Sequence, residues 1–493
     1  MRSTFAGLQM GLRALQAQQM GLTVAGHNIA NANTEGFSRQ KVSLSASNPY
    51  TAPAFNRPAS PGQIGTGVEI AEVRRVHDAF IEMQLRLESQ TTGEWEALMG
   101  GYEQIEMIFN EPSDTGIGTA LTEFWRSWQQ LSLTPSDLAA RSVVRQSGML
   151  LADAVSHTYT QLGRYREEIN GAIGIKVNHI NYLGQQIADL NKQIVAVSVS
   201  GDHPNDLLDA RDLLVKELSK IANIQAVTDE KLQMHISISG SSLVQGSHVS
   251  KLDLVTSPEG HQIVWAGDSA TPAVFSGGEL KGLLHLRDEI IKDQYMDDLD
   301  KLAEGITRAI NQLHREGFGF DPTAEDDEAF PTGNDFFRES PEGESWALNM
   351  RLTEEILADD GLRLIAAGVG ADMAPGNGEN AIAIGRFLQE GLLTELDDDG
   401  TMPDLGSSIP DFFSSLVAKL GVDSQEAQRM HANQMVLHEH LVSRQQSVSG
   451  VSLDEEISDL IRFQHAYGAA ARFITTLDES LSTVIERMGI VGR

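Results

Sequence analysis

The chain has 493 residues, 41% of them hydrophobic, which allows about three domains with real cores. Its formal net charge of −32 argues against binding to phosphate backbones or anionic membrane surfaces, because those partners require clustered Lys and Arg. There is no cysteine, so disulfides, thiolate metal sites and cysteine nucleophiles are excluded, and passage through a channel as an unfolded thread is permitted.

No run approaches the roughly 18 apolar residues of a membrane span. The N-terminus lacks the charged, apolar and small-residue regions of a cleaved secretory signal. Phe5, Leu8, Leu12, Leu15, Gln19, Leu22, Gly26 and Ile29 recur at steps of three and four, which predicts a first helix. Asn28, Asn31, Asn33 and Gly36 supply helix-stop and turn chemistry, so the helix ends near Asn31. Val42 and Leu44 alternate with serines, Pro and Ser residues from 47 to 61 make a loop, and GVEIAEVRRV at 67–76 alternates again, a pattern that predicts a small hairpin.

From Asp78 to about Asn110 the period turns helical, with Phe80, Met83, Leu87, Trp95, Leu98, Tyr102, Ile105 and Phe109 spaced for one face. After the loop EPSDTGIG comes a helix with Phe124, Trp125 and Trp128. Ser136 then opens a long helical tract to about Val197, with Leu183, Ile187, Leu190 and Ile194 along one stripe. At Ile221 the composition shifts: MHISISGSSLVQG, KLDLV and HQIVWAG read as short strands. Helix returns over 279–316, followed by an acidic loop containing several Phe. Residues 346–405 read as mixed, with strand-like pieces and a helix near 379–393. Helix resumes from Ile409 to about Gln446, and Ser447–Gly450 form a hinge.

The last stretch, Ser452 to Met488, opens with Ser452 and Glu455 as a capping box and three acidic residues at the positive end of the helix dipole. Leu453, Ile457, Leu460, Tyr467, Ala471, Ile474, Leu481, Ile485 and Met488 follow a seven-residue repeat, broken by Gln464 and Asp478. The helix has no sequence neighbour left to cover this seam, and the first helix offers matching spacing through Phe5, Leu8, Leu12, Leu15, Leu22 and Ile29. Both seams carry Gln or Gly gaps, so isolated stability is marginal and the pair suits ordering on assembly. The expected fold is mainly α with a β-containing inserted middle domain, the N- and C-terminal helices pairing as an axial coiled-coil-like core. The expected divisions are 1–77 plus 448–493 for the axial core and hairpin, 78–220 plus 409–447 for a helical bundle, and 221–408 for a mixed, β-rich outer domain.

Sites for chemistry are hard to find. His438, Glu439 and His440 lack the second His four residues on that a zinc helix needs, since Val442 stands there. GNGENA at 376–381 has the loose form of a dinucleotide loop without the strand, turn and helix around it. The acidic clusters Glu325–Glu328 and Asp397–Asp399 lack calcium-hand spacing and read as solvated loops. His27 and His314 read as helix-end or core histidines. We expect no enzyme, no cofactor and no metal; a hydrolase in the middle domain is the rival of another class, and it would need a site between 221 and 405.

GLRALQAQQMGLTVAGHNIANANTEGFSRQ at 11–40 resembles the N-terminal signature of bacterial flagellar rod, hook and hook-associated proteins, and SGVSLDEEISDLIRFQHAYGAAARFITTLDESLSTVI at 449–485 resembles their C-terminal one. Ser38-Arg39-Gln40, PNDLLDARDLLVKELS at 204–219, ISGSSLVQG, GGELKGLLHLRDE and GNGENAIAI narrow the resemblance to the hook-associated protein 1 family, against a hook or distal rod protein. Phe37 and Phe463 stand where that family usually has Tyr. The resemblance implies a structural protein exported through the flagellar type III apparatus without a cleaved signal, forming a ring of identical subunits at the hook–filament junction on which filament assembly depends. It implies as partners the hook protein, hook-associated protein 3 and a flagellar export chaperone, with no nucleic acid and no membrane insertion.

Overall fold

A computed structural model describes residues 5–48, 65–257, 260–322, 330–370, 374–393 and 403–487. Helix α1 (Ala6–Ala30) ends at Asn31. The chain then enters a hairpin of β1 (Gln40–Ala46) and β2 (Val68–Arg75), antiparallel with a bulge between Ser43 and Leu44. Asp78 starts α2 (Ala79–Phe109) by accepting from the amides of Phe80 and Ile81, two of the donors a helix start leaves unpaired. The apolar face of α2 differs from expectation in its first half: Ile81 and Leu85 are buried while Phe80, Met83 and Leu87 are exposed.

Helix α3 (Ile117–Leu133) leads to α4 (Leu138–Val199), a single helix of 62 residues and so about 90 Å long. It is the spine of the body. Helix α5 (Asn205–Ile221) turns back along it. Next come two antiparallel sheets, one of β3 (Ile224–Thr228), β4 (Met234–Ile238), β5 (Ser241–Gln245) and β6 (His248–Val249), the other of β7 (Leu252–Ser257), β8 (Gly260–Trp265) and β9 (Asp268–Pro272). Three asparagines of α4, spaced by about three turns and therefore on one face, hold these sheets. Asn191 donates to the carbonyls of Met234 and Gly246 and accepts from the Met234 amide. Asn181 donates to and accepts from Leu252, and Asn170 accepts from the His261 amide.

Helix α6 (Glu279–His285) continues through a π-helical stretch, Leu286–Met296, into α7 (Asp297–Glu316). The strand-like pieces expected after residue 346 are short helical turns, α8 (Trp346–Asn349), α9 (Glu354–Leu357) and the 3-10 turn Gly361–Leu364, tied by isolated bridges such as Phe337 to Leu352. Helix α10 (Glu379–Glu390) follows. Ser408 caps α11 (Ile409–Ser449), which lies antiparallel to α2, with Gln445 donating to Glu82. Because α11 runs to Ser449, the hinge into α12 (Leu453–Arg487) is shorter than expected and centres on Gly450.

One core runs from Leu98 to Leu420 and crosses residue 221 without interruption, joining helices and sheets. Trp128, Phe124, Phe336 and Phe337 form its aromatic centre. His314 is fully buried beside them, donating through Nδ1 to the Asn334 carbonyl at 2.6 Å and accepting at Nε2 from the Ala366 amide at 3.0 Å. Burial pushes its pKa down to about 4, so the ring is neutral. Buried Arg141 donates to the carbonyls of Pro135, Leu362 and Ile365, and desolvation brings its pKa down to about 10.

Candidate assembly interface

Helices α1 and α12 pair antiparallel, and glycine decides which faces meet. A Cβ added at Gly11 would lie 2.6 Å from Ile474 Cγ1, and one at Gly21 would lie 2.7 Å from the Phe463 ring. Gly7 sits against Leu477. Together with buried Ala17 and Ala25, these residues form a small-residue stripe that lets the α12 side chains seat close to the α1 backbone. The stripe of α1 is displaced by one residue from the large apolar seam predicted by spacing.

That displacement settles where the seam residues lie. Leu8, Leu15, Leu22 and Ile29 are half-buried at the edges of the pair, while Phe5 and Leu12 are 58% and 50% exposed. On α12, Leu460, Ala471, Ile474 and Leu481 are half-buried, whereas Leu453, Ile457, Tyr467 and Ile485 are exposed, as are Ile461, Phe473 and Val484. Met488 lies outside the described residues. The pair therefore buries one face of each helix and keeps much of its apolar surface outside, an arrangement uncommon for a finished monomer.

At its root the pair is fixed by polar contacts that spacing did not single out. Asn28, buried at the last turn of α1, donates to the Gln40 carbonyl and to Glu456 Oε2, and accepts from the Gln40 amide, each within 3.0 Å. Arg39 Nε meets Glu456 Oε1 at 2.7 Å and its Nη1 meets Glu455 Oε2 at 2.6 Å. Burial works against the Arg39 charge, but the two carboxylates outweigh it and hold the pKa above the ordinary arginine value. Glu455, expected to reach back in a capping box, is taken by Arg39 instead.

The other side of the same hairpin grips α5. Gln40 donates to Asp206 at 2.7 Å, Asn205 donates to the Val73 carbonyl, and the Ser38 amide donates to Asp209. Arg75 Nη1 bridges Asp209 and Asp212, both at 2.8 Å. Burial would lower the Arg75 pKa, yet Asp212 and Asp209 hold it above the ordinary value. His27 lies 3.3 Å from Asp206 at the end of α1 and stacks edge-on against Phe37. The SRQ segment, the PNDLLDARD tract and the acidic start of α12 thus converge on one hairpin although they are far apart in sequence.

Little else invites chemistry. Among the described residues no group of three or more His, Asp or Glu side chains gathers to hold a metal. His438 has its pKa lowered by burial and by Lys216 and Lys220. Gly378 of the GNGENA stretch opens α10 and abuts the backbone of Ser132 at 2.5 Å from its would-be Cβ, so the glycine serves close helix packing. The clusters Glu325–Glu328 and Asp397–Asp399 lie outside the described residues. No helix among the described residues is long and apolar enough to cross a membrane.

Residues 8–37 match the flagella basal body rod protein family and 444–487 the C-terminal family of basal body rod FlgEFG proteins, the two segments that build the helix pair and its root. Residues 102–337 match the helical domain of the flagellar hook-associated protein FlgK. Flagellar hook-associated protein 1 of Bacillus subtilis is 32% identical over 527 aligned positions that cover all of both chains. The chain belongs to the flagellar hook-associated protein 1 family. The Escherichia coli member is 28% identical, covering 96% of this chain and 98% of its own. In fold, the chain is similar to the flagellar hook junction protein FlgK of Burkholderia pseudomallei, with a TM-score of 0.58 and 17% identity over 74% of this chain and all of that one. The terminal segments are thus shared with rod proteins, and the body between them with FlgK.

Proposed function

We propose that this chain forms a ring of identical subunits at the hook–filament junction, with the α1–α12 pair as its axial part. A structural place in the flagellum at that junction follows from its family; the ring and the role of the pair are our reading. The observation that carries it is the apolar surface left outside the pair, Leu12, Leu453, Ile457, Ile461 and Ile485 among it, on two helices whose main packing partner is each other. Burying an aliphatic side chain contributes about 1.5–3 kcal/mol, so several such residues per copy offset the ordering cost of assembly. We divide the chain into the terminal pair with its hairpin, a helical tract, and a β-containing middle that shares the tract's core. The hook protein on one side, hook-associated protein 3 on the other and an export chaperone before assembly complete the reading. Its part is structural, not catalytic.

The test is complementation of a strain lacking this gene with Leu453→Asp plus Ile457→Asp. The expected cells carry hooks without filaments, and both the variant and flagellin appear in the medium. Normal filaments built on that variant would overturn the reading.

A further inference from the structure

A small cavity of about 170 Å³ opens at the joint, where the end of β2, the start of α2, α5 and the turn between β3 and β4 come together. Three guanidiniums line it, Arg75 from the hairpin, Arg86 from α2 and Arg211 from α5. That is unexpected in a chain with 37 basic and 69 acidic residues. Like charges repel, so arginines gather in this way only where opposite charge compensates them.

The carboxylates on the cavity supply that compensation only in part. Asp212 already meets Arg75 Nη1 at 2.8 Å, an atom that Asp209 also takes, and Glu82 accepts from Gln445. Arg211 is 2% exposed and uses Nη1 on Asn191 and the Leu232 carbonyl, while its Nη2 stands 3.8 Å from Asp212. Its Nε is buried without a hydrogen-bond partner, an unfavourable state for a charged group. Burial lowers the Arg211 pKa, and Arg75 lowers it further against the opposing pull of Asp212. Arg86 enters no hydrogen bond or ion pair among the described residues. The wall itself is strained: Leu232, whose carbonyl lies 2.6 Å from Arg211 Nη1, has φ +61°, a left-handed conformation that leucine rarely adopts. Such outliers persist where the surroundings impose them, and they gather at ligand sites.

We propose that this cavity binds a small tetrahedral oxyanion of the phosphate or sulfate kind, with Arg86, Arg211 and Arg75 as its cations. Guanidinium forks match the oxygens of such an anion, and three of them arriving from three elements suit oxygens that point in several directions. The volume selects the size of the ligand: it exceeds the roughly 30 Å³ share of a water and falls below the ~300 Å³ at which pockets for organic ligands begin. Bound there, the anion ties the hairpin to α2 and α5 and stiffens the joint between the terminal pair and the body. The site belongs to the single chain and holds whether or not a ring forms.

The test is a calorimetric titration of sodium phosphate into the full-length protein, in chloride buffer at constant ionic strength. Saturable binding is expected at one site per chain, with sulfate competing and chloride not. Arg86→Gln, which breaks no polar contact of the folded chain, should weaken it about tenfold or more, the factor for one charge-assisted hydrogen bond. Glu82→Gln, which removes a facing carboxylate, should tighten it. Hydrogen exchange locates the ion: phosphate should slow exchange in residues 75–86 and 205–212 of the parent and leave Arg86→Gln unchanged. Neither saturable binding nor phosphate-dependent protection at tens of millimolar would overturn the inference. Equal affinity of the parent and both variants would overturn it too, since the anion then sits elsewhere. If Arg86→Gln fails to fold, judged by circular dichroism in chloride, Glu82→Gln decides alone, and unchanged affinity there also sinks the site.

Discussion

Single side chains in this protein are used for two kinds of constraint. His314 and Arg141 place ionisable groups inside the core and satisfy them with backbone carbonyls and amides. For His314 this has a pH consequence. The folded ring takes a proton only near pH 4, while the unfolded chain takes one near 6.5. Its contribution is therefore fully present above about pH 6.5 and is lost as pH falls toward 4, an effect on the order of 3 kcal/mol. Denaturant midpoints of the protein and of His314→Gln, compared at pH 7.5 and 4.5, should show the parent losing roughly 2–3 kcal/mol more on acidification than the variant. Equal losses would mean that the ring is protonated or solvated in the native state.

At the level of elements, the α1–α12 pair shows why large apolar residues were a poor guide to contact. Spacing finds the right helices and the right period, but a helix can present several stripes of that period, each one residue apart. The side chosen here is lined by Gly7, Gly11, Ala17 and Gly21 because close approach gains more contact per turn than a wider seam of leucines. Helix α2 repeats the lesson, burying Ile81 and Leu85 in place of Phe80 and Leu87. Gly11→Leu should force Ile474 aside and weaken the pair by about 1–3 kcal/mol. Limited proteolysis should then cut α12 faster while the melting of the body is unchanged; an unchanged cutting rate would show that the helices do not meet at Gly11. The sheets are placed by a different device, the asparagines of α4, whose amides pair with strand backbones.

For the whole molecule, the decisive element is the small hairpin, which holds the end of α1 and the start of α12 on one side and α5 on the other. It is the joint between the terminal pair and the body. Glu456 is only 3% exposed, so removing Arg39 leaves a buried carboxylate without its cation, at a cost on the order of 3 kcal/mol. Arg39→Ala should speed hydrogen exchange in the first turns of α12. Adding Glu456→Gln should restore much of the protection, because the buried charge goes with it. If the double variant exchanges as fast as the single one, the joint is held by something other than this pair.

The sequence by itself determined the helical class, the extent of most helices, the β-containing middle, the hairpin and the family, because these depend on local periodicity, caps and turn residues that each segment carries alone. It also placed His27 and His314 correctly as helix-end and core groups. Only the tertiary structure decided which stripe of each terminal helix faces inward and that Asn28 and Arg39 meet Glu456 across more than four hundred residues. Those are relations of register and close approach between segments distant in the chain. No single segment encodes them, since they are fixed by the fit of one backbone against another.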